Sequence, residues 1–215
     1  MVKRILVTAG STMTMIDRVR AVTNIFTGRT DTEIARYLAR QGNFVTLITS
    51  NKNLLAPDDA FQKFFFKTFA ELAQLMEQQL TQDHPYDAVI HSAAVSDYQP
   101  TGVFVKDSND QLVAVDASNK ISSAHQKLYI ELAPTFKIVD KIREPWGFKG
   151  KLVKFKLQVG LPEDELIKIA RKSRIDSAAD LIVANCLEWS NLYAVVLDQN
   201  ENEVTRVSRE LLPQS

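Results

Sequence analysis

The chain has 215 residues, with 26 basic against 26 acidic side chains, one cysteine and seven glycines. With 45% apolar and 24% charged residues it can bury a sizeable core, which excludes a disordered or collagen-like chain. A formal net charge of zero removes the electrostatic case for nucleic acid or an anionic membrane as main partner. Cys186 stands alone, so there is no intrachain disulfide framework and a reducing cytoplasm is the expected home. Met1–Arg4 leads into an apolar run too short for a signal segment, and no run reaches about 18 apolar residues. The expectation is a soluble cytoplasmic protein of one domain. Glycine stands at about half of its average usage of roughly 7%, and glycine is the residue that phosphate-binding loops most need.

Ile5 to Ala9 is a β-rich run stopped by Gly10, the pattern of a buried parallel strand opening toward a ligand crevice. The residues from Ser11 to Arg29 exceed the 2–6 usual for a βα connection and carry Asp17, Arg18, Arg20 and Asn24, which marks a functional or disordered loop. Thr30-Asp31-Thr32-Glu33 reads as a capping box, with Ile34, Tyr37 and Leu38 at helical spacing and Gly42 as the stop. Phe44–Thr49 predicts a second strand, Phe61–Phe66 a third, Leu72–Leu80 a helix and Asp87–Ser92 a fourth strand. This alternation implies a parallel sheet with right-handed crossovers. From about 101 to 132 the rhythm changes to an inserted β-hairpin arm, pairing Leu112–Val115 with Leu128–Leu132 across a polar, mobile tip. A helix after Pro134, a strand at Leu152–Leu157, a helix from about Pro162 to Arg174 and a strand at Leu181–Ala184 resume the α/β pattern. Strands at Tyr193–Leu197 and Glu203–Val207, around a turn at 198–202, close the chain. The fold class is α/β, Rossmann-like, with a mostly parallel sheet, helices on both faces and the arm inserted.

Four constellations could carry chemistry. The dinucleotide fingerprint G-x-G-x-x-G is absent after the first strand, where Gly10 is followed by Ser11, Thr12 and Met13, and no acidic residue ends the second strand. Thr27-Gly28-Arg29 precedes a helix, where backbone amides and the helix dipole bind phosphate; a plain tight turn is the alternative. Ser92 to Pro100 lies at the carboxyl end of the fourth strand. There Ala93 and Ala94 would let a planar group lie against the backbone, and Asp97 could accept from a ribose or hold a metal through water; packing and a turn cap would explain the same residues. Lys120, at the proposed hairpin tip, could swing onto phosphates or simply be solvated.

Six segments occur in order: Val7–Thr12, Ile16–Asn24, Ala93–Tyr98, Asn119–Ser122, Leu132–Ile138 and Asp180–Asn185. Together they resemble phosphopantothenate-cysteine ligase (phosphopantothenoylcysteine synthetase) in its stand-alone bacterial form, grouped with the DNA/pantothenate metabolism flavoproteins. The resemblance implies a ligase of coenzyme A biosynthesis that joins phosphopantothenate and cysteine through an acyl-cytidylate formed from CTP, with Mg2+ accompanying CTP (ATP possible), and a homodimer. It places catalytic roles on Asn24 and Lys120. Nucleotide-binding positions fall on Gly10, Ala93, Ala94, Asp97 and Phe155, and substrate-binding positions on Gly28 and Asn185. The chain departs from that pattern at Ser11, Ile25, Phe26, Asp31, Lys154 and Cys186. Ser173 and Ser177 stand where many relatives carry lysines that meet the triphosphate, with Arg171, Lys172 and Arg174 as substitutes. Asp31 at a helix N-terminus is expected to repel a substrate phosphate. Two other readings stay open: a diverged relative that binds a nucleotide or regulates without catalysis, and an NAD(P)- or flavin-dependent reductase.

Overall fold

The computed structural model describes residues 1–200 and 204–214. Its centre is an eight-stranded sheet built from β1 (Arg4–Ala9), β4 (Phe44–Thr49), β5 (Gln62–Phe65), β6 (Ala88–His91), β10 (Lys151–Gln158), β11 (Leu181–Cys186), β12 (Tyr193–Leu197) and β13 (Val204–Ser208). Across the sheet the order is β13-β12-β11-β10-β6-β1-β4-β5, parallel from β5 to β11 and antiparallel for the last two strands. The chain first moves outward from β1 through β4 to β5 and then returns to lay β6 on the other side of β1. The strand order therefore reverses between β1 and β6, and a crevice opens there at the carboxyl edge.

Helix α1 (Arg29–Arg40) covers one face of the sheet, over Ile5, Val7, Val45 and Leu47. On the opposite face α2 (Phe69–Leu80) and α3 (Ile138–Arg143) bury Leu6, Ile48, Leu72, Met76, Val89 and Leu152, and α4 (Glu163–Asp176) covers Ile182, Val195 and Leu197. β1 is buried on both sides, which is why its sequence is an unbroken apolar run rather than an alternating one. Each fully buried Leu in these clusters contributes about 1.5–3 kcal/mol. No helix among the described residues is long and apolar enough to cross a membrane.

Several local expectations change. The predicted capping box at Thr30–Glu33 does not form: α1 starts after Gly28, in the left-handed region at φ 83, with no side-chain cap. A capping box instead opens α2, where Thr68 and Glu71 bond each other's backbone N–H groups. The long loop after β1 folds into a small hairpin of β2 (Met13–Met15) and β3 (Ala21–Thr23). The arm is not a hairpin of 112–115 on 128–132. A strand missed in the sequence, β7 (Tyr98–Lys106), pairs with both β8 (Leu112–Ala114) and β9 (Tyr129–Pro134) in a three-stranded antiparallel sheet. Pro100 and Gly102 disguised β7; the register shifts between them, at the kind of irregularity that admits both residues to a strand. The predicted turn at 198–202 and the first residue of the last strand lie partly outside the described residues.

Candidate functional site

Two glycines shape the crevice. Gly10 ends β1 at φ 85; its carbonyl accepts from Ala94 N–H at 2.8 Å, and a Cβ there would run into the Ser50 hydroxyl. Gly28 brings the start of α1 against this turn, and a Cβ on it would strike the Gly10 backbone. Both close approaches at positive φ require glycine. The Ala94 carbonyl takes Thr12 N–H at 3.2 Å and Asn24 Nδ2 at 3.3 Å, so the β1 and β6 loops are sewn together beneath the opening.

On the α1 side lies a crevice of about 270 Å³, walled by Gly10, Gly28, Asp31, Ser92, Ala93, Ala94, Phe155, Asn185 and Arg209, among others. Asp31 is 9% exposed. Burial pushes its carboxyl up to about 6, against the opposing effects of hydrogen bonds from Ser92 and the Gly10 backbone and the charge of Arg209. Arg209 reaches in from beyond β13 and donates to the Thr30 hydroxyl. The Asn185 side chain is buried, and its Oδ1 has no protein hydrogen-bond partner. A buried acceptor left in that condition costs about 1–3 kcal/mol, so it is a place for a ligand N–H or O–H.

On the other side of the sheet a cavity of about 390 Å³ lies between β6, β10, α3 and α4. His91 ends β6, buried, with Nδ1 3.0 Å from the Thr8 hydroxyl. That hydroxyl already accepts the N–H groups of Ser92 at 3.2 Å and Ala93 at 3.1 Å. It therefore gives its own proton to Nδ1, leaving the imidazole proton on Nε2. Burial, together with the charge of Lys154, pulls His91 down to about 4, so the ring is neutral at pH 7. Lys154, the register partner of His91 on β10, is 8% exposed and donates from Nζ to Ser173 O and Ser177 Oγ, both at 3.0 Å. Burial draws it down to about 8, and no carboxylate among the described residues lies within 4.0 Å of it.

The sequence-predicted residues divide. Gly10, Gly28, Ala93, Ala94, Phe155 and Asn185 meet around the α1-side crevice, while Asp97 sits exposed at the rim of the neighbouring cavity with Ala93, Ala94 and Phe155. Asn24 is exposed and spends its amide on the Ala94 carbonyl, facing a third, shallower hollow. Lys120 is exposed and lines none of these cavities. The segment beside it is not free: Ile121 is buried, its N–H donates to Asp17 at 3.1 Å, and its carbonyl accepts from Arg20 at 2.6 Å. This corrects the expectation of a loose hairpin tip at that point. Among the proposed substitutes, Arg174 is buried on Ala179 O and Lys172 is paired with Asp176 at 2.8 Å. The cation beside Ser173 and Ser177 is Lys154. Sequence reasoning noted Lys154 only as a departure from the family pattern and passed over His91 and Arg209; a lysine in phase with Leu152 on the inward face of β10 was the available signal, and Arg209 had none.

A crevice at the reversal point of a doubly wound sheet, with two glycines at close backbone approaches, defines a Rossmann-like α/β domain. Residues 1–214 match the family described as the DNA/pantothenate metabolism flavoprotein C-terminal domain, and the chain belongs to that family. It is 37% identical over 210 residues to the coenzyme A biosynthesis bifunctional protein CoaBC of Thermococcus kodakarensis, covering 97% of this chain and 45% of that protein. The DNA/pantothenate metabolism flavoprotein of Streptococcus pneumoniae has the same fold, with TM-score 0.82, 30% identity and coverage of 99% and 95% of the two chains. A Cab2 H337A structure in complex with phosphopantothenate-cysteine shares the fold at TM-score 0.70 and 17% identity, covering 96% of this chain and 80% of that one.

These findings correct the ligase expectation. The matching family is described as a flavoprotein domain and the relatives as bifunctional proteins of coenzyme A biosynthesis, not as a CTP-dependent ligase. The acyl-cytidylate chemistry, the Mg2+ with CTP or ATP, and the substrate set of phosphopantothenate, cysteine and CTP are set aside with it. The physical reason is that the ordered segments are largely backbone positions that shape the crevice, and such segments carry architecture more firmly than reaction. Among the described residues no group of three or more His, Cys, Asp or Glu could hold a metal. The family's description also implies a flavin, and the crevice does not fit one. A flavin phosphate at the α1 N-terminus would meet the buried Asp31 carboxylate, ionised at pH 7.

Proposed function

We propose that this chain is a metabolite-binding domain of coenzyme A biosynthesis, taking a small amide- and hydroxyl-bearing ligand into the crevice between β1 and β6. The observation that carries this reading is the Asn185 Oδ1, buried in the crevice wall without a partner beside Ser92 and Asp31. A ligand N–H or O–H delivered there replaces a lost water bond, and the neighbouring polar groups discriminate against apolar occupants. Family membership and the name of the Thermococcus relative support the metabolic context. The nucleotide-binding or regulatory alternative raised from the sequence is compatible with this reading, since it asks for binding and assigns no bond-forming step.

Phosphopantothenate-cysteine, the ligand named for the Cab2 structure, is the probe. Calorimetric titration should show saturable binding to the wild type. Asn185→Leu, which is close in volume but has no acceptor, should weaken binding about tenfold, the order of one hydrogen bond to a buried group. Equal affinity of the wild type and Asn185→Leu, or no binding by folded wild type, refutes the reading.

A further inference from the structure

The sheet face that looks toward α1 is covered unevenly. α1 lies over β1 and β4, while α4 covers β11 and β12 from the opposite side. On the α1 side of β10 to β13 the packing is completed by Leu212, in the short C-terminal turn Leu212–Gln214, rather than by a helix. The strand register sets Phe155, Val183, Val196 and Thr205 in a row across that face. β11 and β12 carry apolar residues on both faces, the pattern of strands buried on both sides. Yet Val153, Phe155, Val196 and Val207 stay half-buried. Between this row, Ile34, Tyr37 and Leu38 of α1 and the C-terminal turn lies a cavity of about 360 Å³. Small-molecule sites span about 300–1,000 Å³, and apolar cavities of about 150 Å³ already take up benzene.

The wall is apolar apart from Tyr37, Thr205 and Asp198. Asp198, half-buried just beyond β12, is the one charged residue among those described in the wall. Its carboxylate accepts the Asn200 backbone N–H at 2.7 Å and the Asn200 side-chain amide at 3.3 Å, which leaves about half of its acceptor capacity. It takes part in none of the ion pairs among the described residues. An apolar molecule that carries an anion would meet a like charge here, whereas one that carries a cation supplies the missing partner.

We propose that the cavity between α1, β10–β13 and the C-terminal turn is a second ligand site, which takes a small organic amine with its hydrocarbon body against the apolar wall and its ammonium toward Asp198. The site stands apart from the Asn185 reading, although Phe155 borders both hollows. A packing void is the competing explanation, and a void takes up apolar molecules without regard to charge.

The test is titration of the whole chain, labelled at its Ala, Val and Leu methyl groups, with 2-phenylethylamine, 2-phenylethanol and phenylacetate at pH 7, followed by NMR. The amine should shift the methyl resonances of Val183, Val196 and Leu212 saturably. The alcohol should bind severalfold more weakly, the order of one partly exposed ion pair, and phenylacetate should not bind. Asp198→Asn, which keeps an oxygen for Asn200, should make amine and alcohol equal. Val196→Phe, which fills the cavity, should weaken the amine at least tenfold; should that variant fail to fold, the charge series in the wild type and Asp198→Asn decides. An alcohol or phenylacetate as tight as the amine, amine binding undiminished in folded Val196→Phe, or no saturable shift at millimolar amine overturns the site. So does a response confined to the Ala93 and Ala94 methyls, which would put the amine in the crevice.

Discussion

Asp31→Asn should make the protein more stable at neutral pH. The carboxyl is 9% exposed and is raised from an ordinary 3.8 to about 6, chiefly by burial. A carboxyl whose affinity for the proton is higher in the folded than in the unfolded chain stabilises the fold where it is protonated. That contribution is lost as pH rises from about 4 through 6. At about 1.36 kcal/mol for each tenfold change in proton affinity, the ionised carboxylate at pH 7.5 costs about 3 kcal/mol. The favourable effect of an acid in a first helical turn, about 0.3–1 kcal/mol at an exposed site, is too small to offset burial. Asparagine keeps an oxygen for the Ser92 and Gly10 donors and removes the charge. Urea unfolding should therefore show the variant about 2–3 kcal/mol more stable near pH 7.5, with the gap closing to about 1 kcal/mol near pH 4.5, where the wild-type carboxyl is protonated in the fold. A gap that does not change with pH, or a variant less stable at both, refutes the assignment of a buried, destabilised charge.

Other substitutions test the frame around the crevice. Asp17 accepts from the backbone N–H groups of Val19 (2.8 Å), Arg20 (2.7 Å) and Ile121, and also from the Arg20 guanidinium, which hold its carboxyl far below the ordinary range even though burial pushes the other way. Asp17→Ala should raise amide exchange at 119–123 at least tenfold while leaving α2 protected; unchanged exchange there would show that Asp17 does not pin the arm. Gly28→Ala forces an alanine to φ 83 against the Gly10 backbone and should destabilise by about 2–3 kcal/mol, read as a lower urea midpoint at constant slope. FMN titrated into the folded chain should leave flavin fluorescence unchanged at micromolar protein, and saturable quenching would show that the Asp31 carboxylate does not exclude the flavin.

How much of this was legible in the sequence follows from where the signals lie along the chain. The strands of the parallel sheet announce themselves as apolar runs because they are buried on both faces; β1 and β4 needed no long-range information. Gly10 and Gly28 marked the crevice because a short-range constraint, positive φ, selects the residue type. The arm was misread because β7 carries Pro100 and Gly102, so the strand that pairs with both neighbours was the one with the weakest propensity. The start of α1 was misread because Thr32 turns its hydroxyl back onto the Gly28 carbonyl at 2.9 Å instead of Thr30 capping the first turn. Arg209 against Thr30 spans most of the chain, and no local pattern encodes that contact.

Two hollows flank the opening, and the topology is the reason. The reversal between β1 and β6 puts α1 on one face and α3 with α4 on the other, so one ligand lying along the carboxyl edge touches both. Ala93, Ala94, Phe155, Lys156 and Leu157 border both hollows. The α1 side presents the Asp31 carboxylate with Arg29 and Arg209 beside it and an unpartnered amide oxygen; the α4 side presents an ammonium and an imidazole N–H.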